Sequence, residues 1–158
     1  MLKTVNQSAD YAKSNLLTRF FDGECEANGM IIDRFGKIRQ TVQVTMHGYW
    51  AENAFKMDEV FTYQDGRVEE RNWTVNFEDA NNFLASTDDL DNPAIGTADA
   101  NTVKMNYTFP VPIASRIYNL KFDDRMYYMN ETTLYERATM NKFGIFLAEI
   151  VMVFHKKA

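Results

Sequence analysis

The chain has few of the residues from which metal and nucleophilic sites are usually built. Its 158 residues include one cysteine and two histidines. A single cysteine cannot form an internal disulfide or a zinc knuckle. His47 and His155 are far apart in the sequence and do not form the cluster of ligands that a metal or haem site needs. We therefore expect no metal and no cofactor, and we expect Cys25 to be a small core residue rather than a nucleophile.

Other signatures are missing as well. No stretch approaches 18 consecutive apolar residues, so no transmembrane helix is expected, and there is neither a glycine-rich phosphate loop nor a nucleophile elbow. The net charge is -5, which is not the basic excess typical of nucleic-acid-binding proteins. The acidic run at residues 88–91 lacks the alternating spacing of a calcium loop, and we expect a solvated turn there.

What remains is the composition of one folded domain. Hydrophobic residues make up 46% of the chain, with 12 Phe and 8 Tyr, which argues against disorder. A chain of this length buries about two thirds of its unfolded surface in a single core. We expect a polar tail over residues 1–15 and a single β-domain over residues 16–158, with a helical turn at residues 14–21 as a short N-terminal cap.

Apolar residues recur at every second position along most of the sequence, which is the period of a β-strand. About ten short strands at spacings of about 8 to 12 residues indicate an all-β antiparallel sandwich or closed barrel. We favour the barrel, because closure removes the exposed strand edges, and keep the two-sheet sandwich as the alternative. One strand, which begins near Val103, is predicted to stop at Pro110-Val111-Pro112.

The hairpin of residues 56–77 makes the most specific prediction. If residues 64–66 form a three-residue loop with Gly66 in the left-handed region, odd-numbered residues face each other and Glu59 lies opposite Arg71. A two-residue loop would shift the register by one and send the two apolar sets to opposite faces. We take the three-residue loop, which places aromatic side chains and one Glu–Arg pair inside the barrel.

Charges inside a barrel are costly unless they are paired and hydrogen-bonded. We therefore expect Arg71 to saturate Glu59 and keep it ionised. The pair could fix the register, order water or bind a polar head group, and Glu136, Arg137 and Glu149 raise the same question in later strands. The candidate ligand-binding residues, with no catalytic residue among them, are Glu59, Phe61, Tyr63, Arg71, Trp73, Tyr107, Tyr128 and Arg137.

Two groups of motifs are distinctive when they are taken together. The first is Phe21-Asp22-Gly23, Gly29-Met30, Asp33-Arg34-Phe35-Gly36, Asp58-Glu59 with Phe61, Tyr63, Asp65 and Gly66, and Arg71 with Trp73. The second is Asp123-Asp124-Arg125-Met126-Tyr127, Leu134, Glu136-Arg137, Met140, Lys142-Phe143-Gly144 and Glu149. In these residues the chain resembles, from about Phe20 to Phe154, a family of uncharacterised bacterial proteins, the domain of unknown function DUF3833.

Members of this family are regarded as lipocalin-like, and many of them as lipoproteins. The resemblance implies an antiparallel calycin-like (lipocalin-like) barrel of about eight to ten strands and an apolar ligand, without an established activity to carry over. The family tends to have Trp where this chain has Arg125, and a second small residue where it has Ala148. An aromatic contact of the family at the first of these positions is therefore not carried over.

Two functions of different classes follow. The first is a binding protein for a small hydrophobic or amphipathic molecule such as a fatty acid, with its hydrocarbon among Phe61, Trp73 and Tyr107 and its polar head near Arg71. The second is a barrel enzyme in which Glu59 or Glu136 acts as general base. A structural or partner-binding protein with a filled core is the remaining alternative.

The first fifteen residues also carry an expectation about localisation. They contain no apolar run of signal-peptide length and no small-residue cleavage site, so the sequence as it stands is expected to be cytoplasmic. The resemblance implies the alternative of a periplasmic or lipid-anchored protein whose upstream signal has been removed.

Overall fold

The structure is a computed structural model that describes residues 12–157. Ten antiparallel strands in this range form a closed barrel, in which each strand pairs with its neighbours along the chain and β1 pairs with β10. This confirms the predicted barrel and rules out the sandwich. The strands are β1 (Gly23–Asp33), β2 (Ile38–Ala51), β3 (Ala54–Tyr63), β4 (Val68–Phe77), β5 (Asn82–Ser86), β6 (Ala94–Ala98), β7 (Thr102–Ile113), β8 (Arg116–Asn130), β9 (Thr133–Lys142) and β10 (Ile145–Lys156).

A short helix, α1 (Leu16–Phe21), closes one end of the barrel, which we call the closed end. The helix begins after Asn15, whose side-chain oxygen accepts a hydrogen bond from the Thr18 N–H at 3.1 Å. Its apolar side chains are buried in the barrel, as the predicted cap requires. Of the expected tail, residues 1–11 lie outside the described residues, whereas Ala12 and Asn15 are buried. No helix within residues 12–157 is long and apolar enough to cross a membrane.

The hairpin of β3 and β4 has the predicted register. The Tyr63 N–H donates to the Arg67 carbonyl at 2.9 Å and Gly66 has a φ of 90°, as the three-residue loop requires. Glu59 is directly opposite Arg71 in the ladder. Odd-numbered residues of both strands therefore face the interior.

The strands differ greatly in length, and this leaves a gap in the wall. β5 and β6 have 5 residues each, whereas β8 has 15. β4 pairs with β5 over residues 74–77, and β7 pairs with β6 over residues 103–106. Among the described residues no strand therefore lies between residues 68–73 of β4 and residues 107–113 of β7. We call this gap the notch; it opens toward the end opposite α1, the open end, and the β5–β6 loop (residues 87–93) borders it.

β7 does not stop at its two prolines, as the sequence predicted. It continues through Pro110 and Pro112 to Ile113, paired with β8 throughout. Beyond Asn106 one edge of β7 borders the notch and has no neighbouring strand in the described part of the chain. Proline is tolerated at such an edge, because its missing N–H removes no ladder hydrogen bond there.

The largest cluster of buried apolar side chains in the described part of the chain runs from α1 through the barrel as far as Val42 and Phe61. Cys25 belongs to it and is 2% exposed, in keeping with the core role expected for it. A Cβ added at Gly48 would collide with the backbone carbonyl of Phe21 and with the ring of Phe55. Only glycine at this position lets the helix approach the sheet so closely.

Candidate functional site

Among the described residues, three carboxyl side chains are buried inside the barrel, on three different strands. Glu59 of β3, Asp124 of β8 and Glu136 of β9 are 8%, 5% and 5% exposed. Each occupies an inward-facing position in the alternation of its strand, with apolar residues two positions before and after it. We call these three residues the acidic cluster.

Asp124 and Glu136 form a tightly coupled pair within the cluster. The Tyr107 hydroxyl donates to Oδ2 of Asp124 at 3.0 Å, while no N–H or hydroxyl group of the described residues reaches Oδ1. Burial, followed by the negative charge of Asp124, raises the pKa of Glu136 well above its ordinary value. A hydrogen bond in which the protonated Glu136 carboxyl donates to Asp124 raises the pKa of Glu136 further.

Glu59 is the third member of the cluster and the one whose pKa lies nearest to neutrality. Burial raises its pKa to about 7. The positive charge of Arg71 and the indole N–H of Trp73 lower this pKa, and the charge of Asp124 raises it. The expectation that Arg71 saturates Glu59 and keeps it ionised is therefore wrong.

The reason is the direction of the Arg71 side chain. Its guanidinium lies over the rings of Phe61 and Phe109, at 5.0 and 4.4 Å from their centroids. It makes ion pairs with Asp89 of the β5–β6 loop at 3.5 Å and with Glu69 at 3.9 Å. Arg71 and Glu59 are register partners, but the guanidinium is held at the notch and not at the carboxylate.

Side chains bridge the notch that the backbone leaves open. The rings of Trp73 on β4 and Tyr107 on β7 meet edge-to-face with their centroids 5.8 Å apart. The contact of Arg71 with Phe109 crosses the same gap, and Tyr107 in turn stacks on Phe122 at 5.1 Å. The acidic cluster is thus separated from the notch by aromatic side chains and one guanidinium.

A cavity of about 580 Å³ lies at the rim of the notch, between the β5–β6 loop and strands β7 and β8. Asp89, Asp91 and Lys121 contribute charged groups to its lining, and the inward-facing Tyr107 and Phe122 also line it. Volumes in this range are typical of small-molecule sites. Tyr107 links the two, because it lines the cavity and donates its hydroxyl to Asp124 of the acidic cluster.

The other candidate residues lie in three different places. Phe61 is buried beside Arg71, and Tyr63, near the open end, donates its hydroxyl to Glu69 at 3.2 Å. Burial raises the pKa of Tyr63 to about 12. Tyr128 is at the closed end, where its hydroxyl donates to Glu131 at 3.0 Å.

Arg137 lies on the outer face of the barrel, which corrects the interior position proposed for it. It pairs there with Glu149 at 2.6 Å, and its side chain is 49% exposed. The physical reason is the two-residue period of a strand: since Glu136 points inward, its neighbour must point outward. Glu149 is on the outer face for the same reason, because Ile150 packs against the core.

Four residues of the site were not among the sequence candidates: Asp89, Phe109, Phe122 and Asp124. Asp124 could have been found, because the inward alternation of Leu120, Phe122 and Met126 includes position 124. Asp89 could not, because no periodicity governs the direction of a loop side chain.

Comparisons with known proteins place the chain in a family. The family described as "Protein of unknown function (DUF3833)" matches residues 2–156. No protein with a curated description matches the sequence. The S-type phycobiliprotein lyase CPES from Guillardia theta has a similar structure, with a TM-score of 0.63 at 7% identity over 96% of this chain and 98% of that one.

A protein of unknown function from the DUF3598 family of Nostoc punctiforme is also similar, with a TM-score of 0.61 at 11% identity. The match covers 86% of this chain and 47% of that protein, so the chain spans about half of its length. At such identities the likeness shows the fold alone. The chain is therefore a member of the DUF3833 family, a family of unknown function, and it folds as an antiparallel calycin-like barrel of ten strands.

Proposed function

We propose that the protein binds a small amphipathic molecule in the open half of the barrel, with the polar group of the ligand at the acidic cluster. The observation that carries this proposal is the burial of three carboxyl groups together, with no N–H group of the described residues at Oδ1 of Asp124. Tyr107 and the protonated Glu136 are the donors to Asp124. A buried charge is costly unless it is paired, and a ligand that donates a hydrogen bond or carries a positive charge would pair with the charge of this cluster.

The charge of the site favours a donor or a cation over a carboxylate. Three carboxyl groups are buried together. The charge of Arg71 acts on Glu59 among them, but its guanidinium is already bound to Asp89 and Glu69. A fatty-acid carboxylate would have to displace one of these partners. We therefore propose an amine, amide or hydroxyl head group in place of the fatty acid expected from the sequence.

Apolar surface for the rest of the ligand is present in the same half of the barrel. Leu120, Phe122, Ala138 and Met140 form a second buried cluster there. Around it lie half-buried side chains that a ligand would cover further, among them Ile31, Phe109, Val111 and Ile150. An apolar surface with a few convergent polar groups is the usual composition of a small-ligand site.

Three ligands of equal chain length test the head-group chemistry. Calorimetric titration with dodecylamine, dodecanol and dodecanoate near neutral pH should give the tightest binding for the amine and the weakest for the carboxylate. Asp124→Asn should weaken binding of the amine about tenfold or more, because a charge-assisted hydrogen bond is lost.

Asp123→Asn is the matched control, because Asp123 is the adjacent residue but pairs with Arg125 at 3.0 Å on the outer face. It should leave all three affinities unchanged. The proposal would be contradicted if none of the three ligands bound, or if the carboxylate bound most tightly.

An acid–base enzyme is the second candidate function, and the pKa of Glu59 of about 7 favours it. A carboxyl group with this pKa can accept and return a proton near neutral pH. The phycobiliprotein lyase is an example of a similar barrel in a protein that is named for an activity. The test is the fate of a molecule that copurifies with the protein: the unchanged chain should convert it slowly, and Glu59→Gln should retain it unconverted. Equal conversion by the variant would exclude Glu59 as the base.

A further inference from the structure

Three hairpin tips at the open end of the barrel expose large apolar side chains. They join β1 to β2, β9 to β10 and β7 to β8, and these hairpins follow one another around the barrel. Phe35, Phe143 and Ile117, one at each tip, are 83%, 88% and 73% exposed. Large apolar residues exposed together in this way mark an interaction surface. We call these three residues the apolar rim.

The same tips carry positive charge. Residues 34–37, 114–117 and 142–145 contain four basic residues and no acidic one, in a chain whose net charge is -5. The β3–β4 tip is different, because its Arg67 is paired with Asp65 at 3.4 Å. The acidic β5–β6 loop joins two short strands, and its Asp89 pairs with Arg71 at the notch.

The turns at the closed end have the opposite composition. Residues 52–53, 78–81, 99–101 and 131–132 contain five acidic residues and no basic one, and no Phe, Ile or Leu. Apolar and basic residues are thus concentrated in three neighbouring tips of the open end, whereas acidic residues lie in the β5–β6 loop of that end and in the turns of the closed end.

The backbone at Phe143 adds a further observation. Its φ is 52°, in the left-handed region that bulky residues rarely adopt and that glycine or asparagine adopts readily. An exposed phenylalanine at such a position does not contribute to the stability of the fold. The ammonium group of Lys142 lies 4.8 Å from the centroid of the Phe143 ring.

We propose that the apolar rim inserts into the surface of a membrane that contains anionic lipids, with the open end of the barrel facing the bilayer. Phe35, Ile117 and Phe143 would enter the boundary between head groups and acyl chains, and the basic residues beside them would meet the lipid phosphates. Separate apolar tips, each flanked by a cation, match a fluid anionic surface better than the shaped, hydrogen-bonding surface of a protein partner. This inference rests on the tips and not on the proposed ligand.

Cosedimentation with vesicles tests the proposal. The chain should bind vesicles of phosphatidylcholine mixed with phosphatidylglycerol, and should bind vesicles of phosphatidylcholine alone much more weakly. The double variant Phe35→Ser/Phe143→Asn should bind the anionic vesicles about tenfold or more weakly, because each phenylalanine loses apolar contact. Ile95→Ser is the matched control, since Ile95 is 67% exposed but lies on the side wall, on β6, and it should bind like the unchanged chain.

Several results would overturn the inference: no binding of the unchanged chain to anionic vesicles, unchanged binding of the double variant, or an equal loss in Ile95→Ser. If the unchanged chain is a dimer in the absence of vesicles and the double variant is a monomer, the apolar rim is a contact between two copies instead. Titration of the double variant with dodecylamine keeps the two proposals apart, because ligand affinity should be unchanged when vesicle binding is lost.

Discussion

At the scale of single residues, the interior acids determine how stability depends on pH. The pKa of Glu59 is raised from 4.5 to about 7 in the folded protein. Between these values the folded state holds a proton that the unfolded state has lost, so the free energy of unfolding decreases as the pH rises through this window. The contribution of Glu59 to this decrease is about 3 kcal/mol, complete above pH 7 and absent below pH 4.5. The raised pKa of Glu136 acts in the same direction.

Glu59→Gln should remove the part of this dependence that belongs to Glu59, because glutamine has nearly the same shape and does not titrate. Melting temperatures measured at about pH 5 and about pH 8 should fall less with pH in the variant than in the unchanged chain. The exposed Glu70 on the outer face of β4 provides the control, Glu70→Gln. If the melting temperature of Glu59→Gln falls with pH as steeply as that of Glu70→Gln, Glu59 is already ionised in the folded state.

Arg71→Leu should cost little stability. The ion pair with Asp89 is partly exposed, with side chains 17% and 49% accessible, and such pairs contribute about 0 to 1 kcal/mol. A guanidinium that compensated a buried carboxylate directly would instead be worth about 3 to 5 kcal/mol. The pKa of Glu59 should rise further, since the charge of Arg71 lowers it. Urea unfolding measures the change in stability and carboxyl NMR titration measures the pKa, with Arg67→Leu as the control. A loss of unfolding free energy in the larger range would show that Arg71 pairs directly with Glu59.

These residues also show what the sequence can and cannot predict about the site. The strand period and the loop chemistry of Gly66 were enough to place Glu59 opposite Arg71 and both on the inner face. They do not determine where a long side chain ends, and the guanidinium of Arg71 reaches the notch because Phe109 and Asp89 are there. Those two groups come from distant parts of the chain, so no local pattern could have predicted them.

At the scale of elements, the contact between α1 and β2 depends on a single glycine. Gly48→Ala would place a methyl group against the Phe21 carbonyl and the Phe55 ring, so the helix would have to move outward. Overpacking of this kind costs about 1 to 3 kcal/mol. Urea unfolding of this variant and of Thr45→Ala, an exposed position on the same strand, gives the comparison. Equal stability of the two variants would show that α1 is held too loosely to resist the methyl group.

Strand number was predictable and strand length was not. The alternation of Ala94, Gly96 and Ala98 identifies β6, but its end is set by how far it pairs with β7, and this pairing stops at Asn106. The prolines of β7 were misread for the same reason. Proline ends a strand that has neighbours on both sides, but it is tolerated in a strand whose free edge borders a notch.

At the scale of the whole molecule, closure of the barrel can be followed at one atom. Cys25 is on β1, the strand that pairs with β10, and burial raises the pKa of its thiol to about 12. A thiol of this kind is inert unless the barrel opens. The rate of labelling by Ellman's reagent should therefore follow global unfolding, increasing with urea and in Gly48→Ala. Rapid labelling of the native protein would show instead that the β1–β10 seam opens by itself.

The notch has a kinetic consequence for any molecule that exchanges with the interior. Since side chains alone close it, passage from solvent to the acidic cluster requires rotation of Trp73, Tyr107 and Arg71, and breaks no hydrogen bond of the sheet. The wall can stay rigid during exchange, and a molecule longer than the interior can leave its tail outside. Exchange should become faster as ionic strength rises, because salt weakens the exposed pair of Arg71 with Asp89, whereas temperature should affect the rate less than it would if strands had to separate.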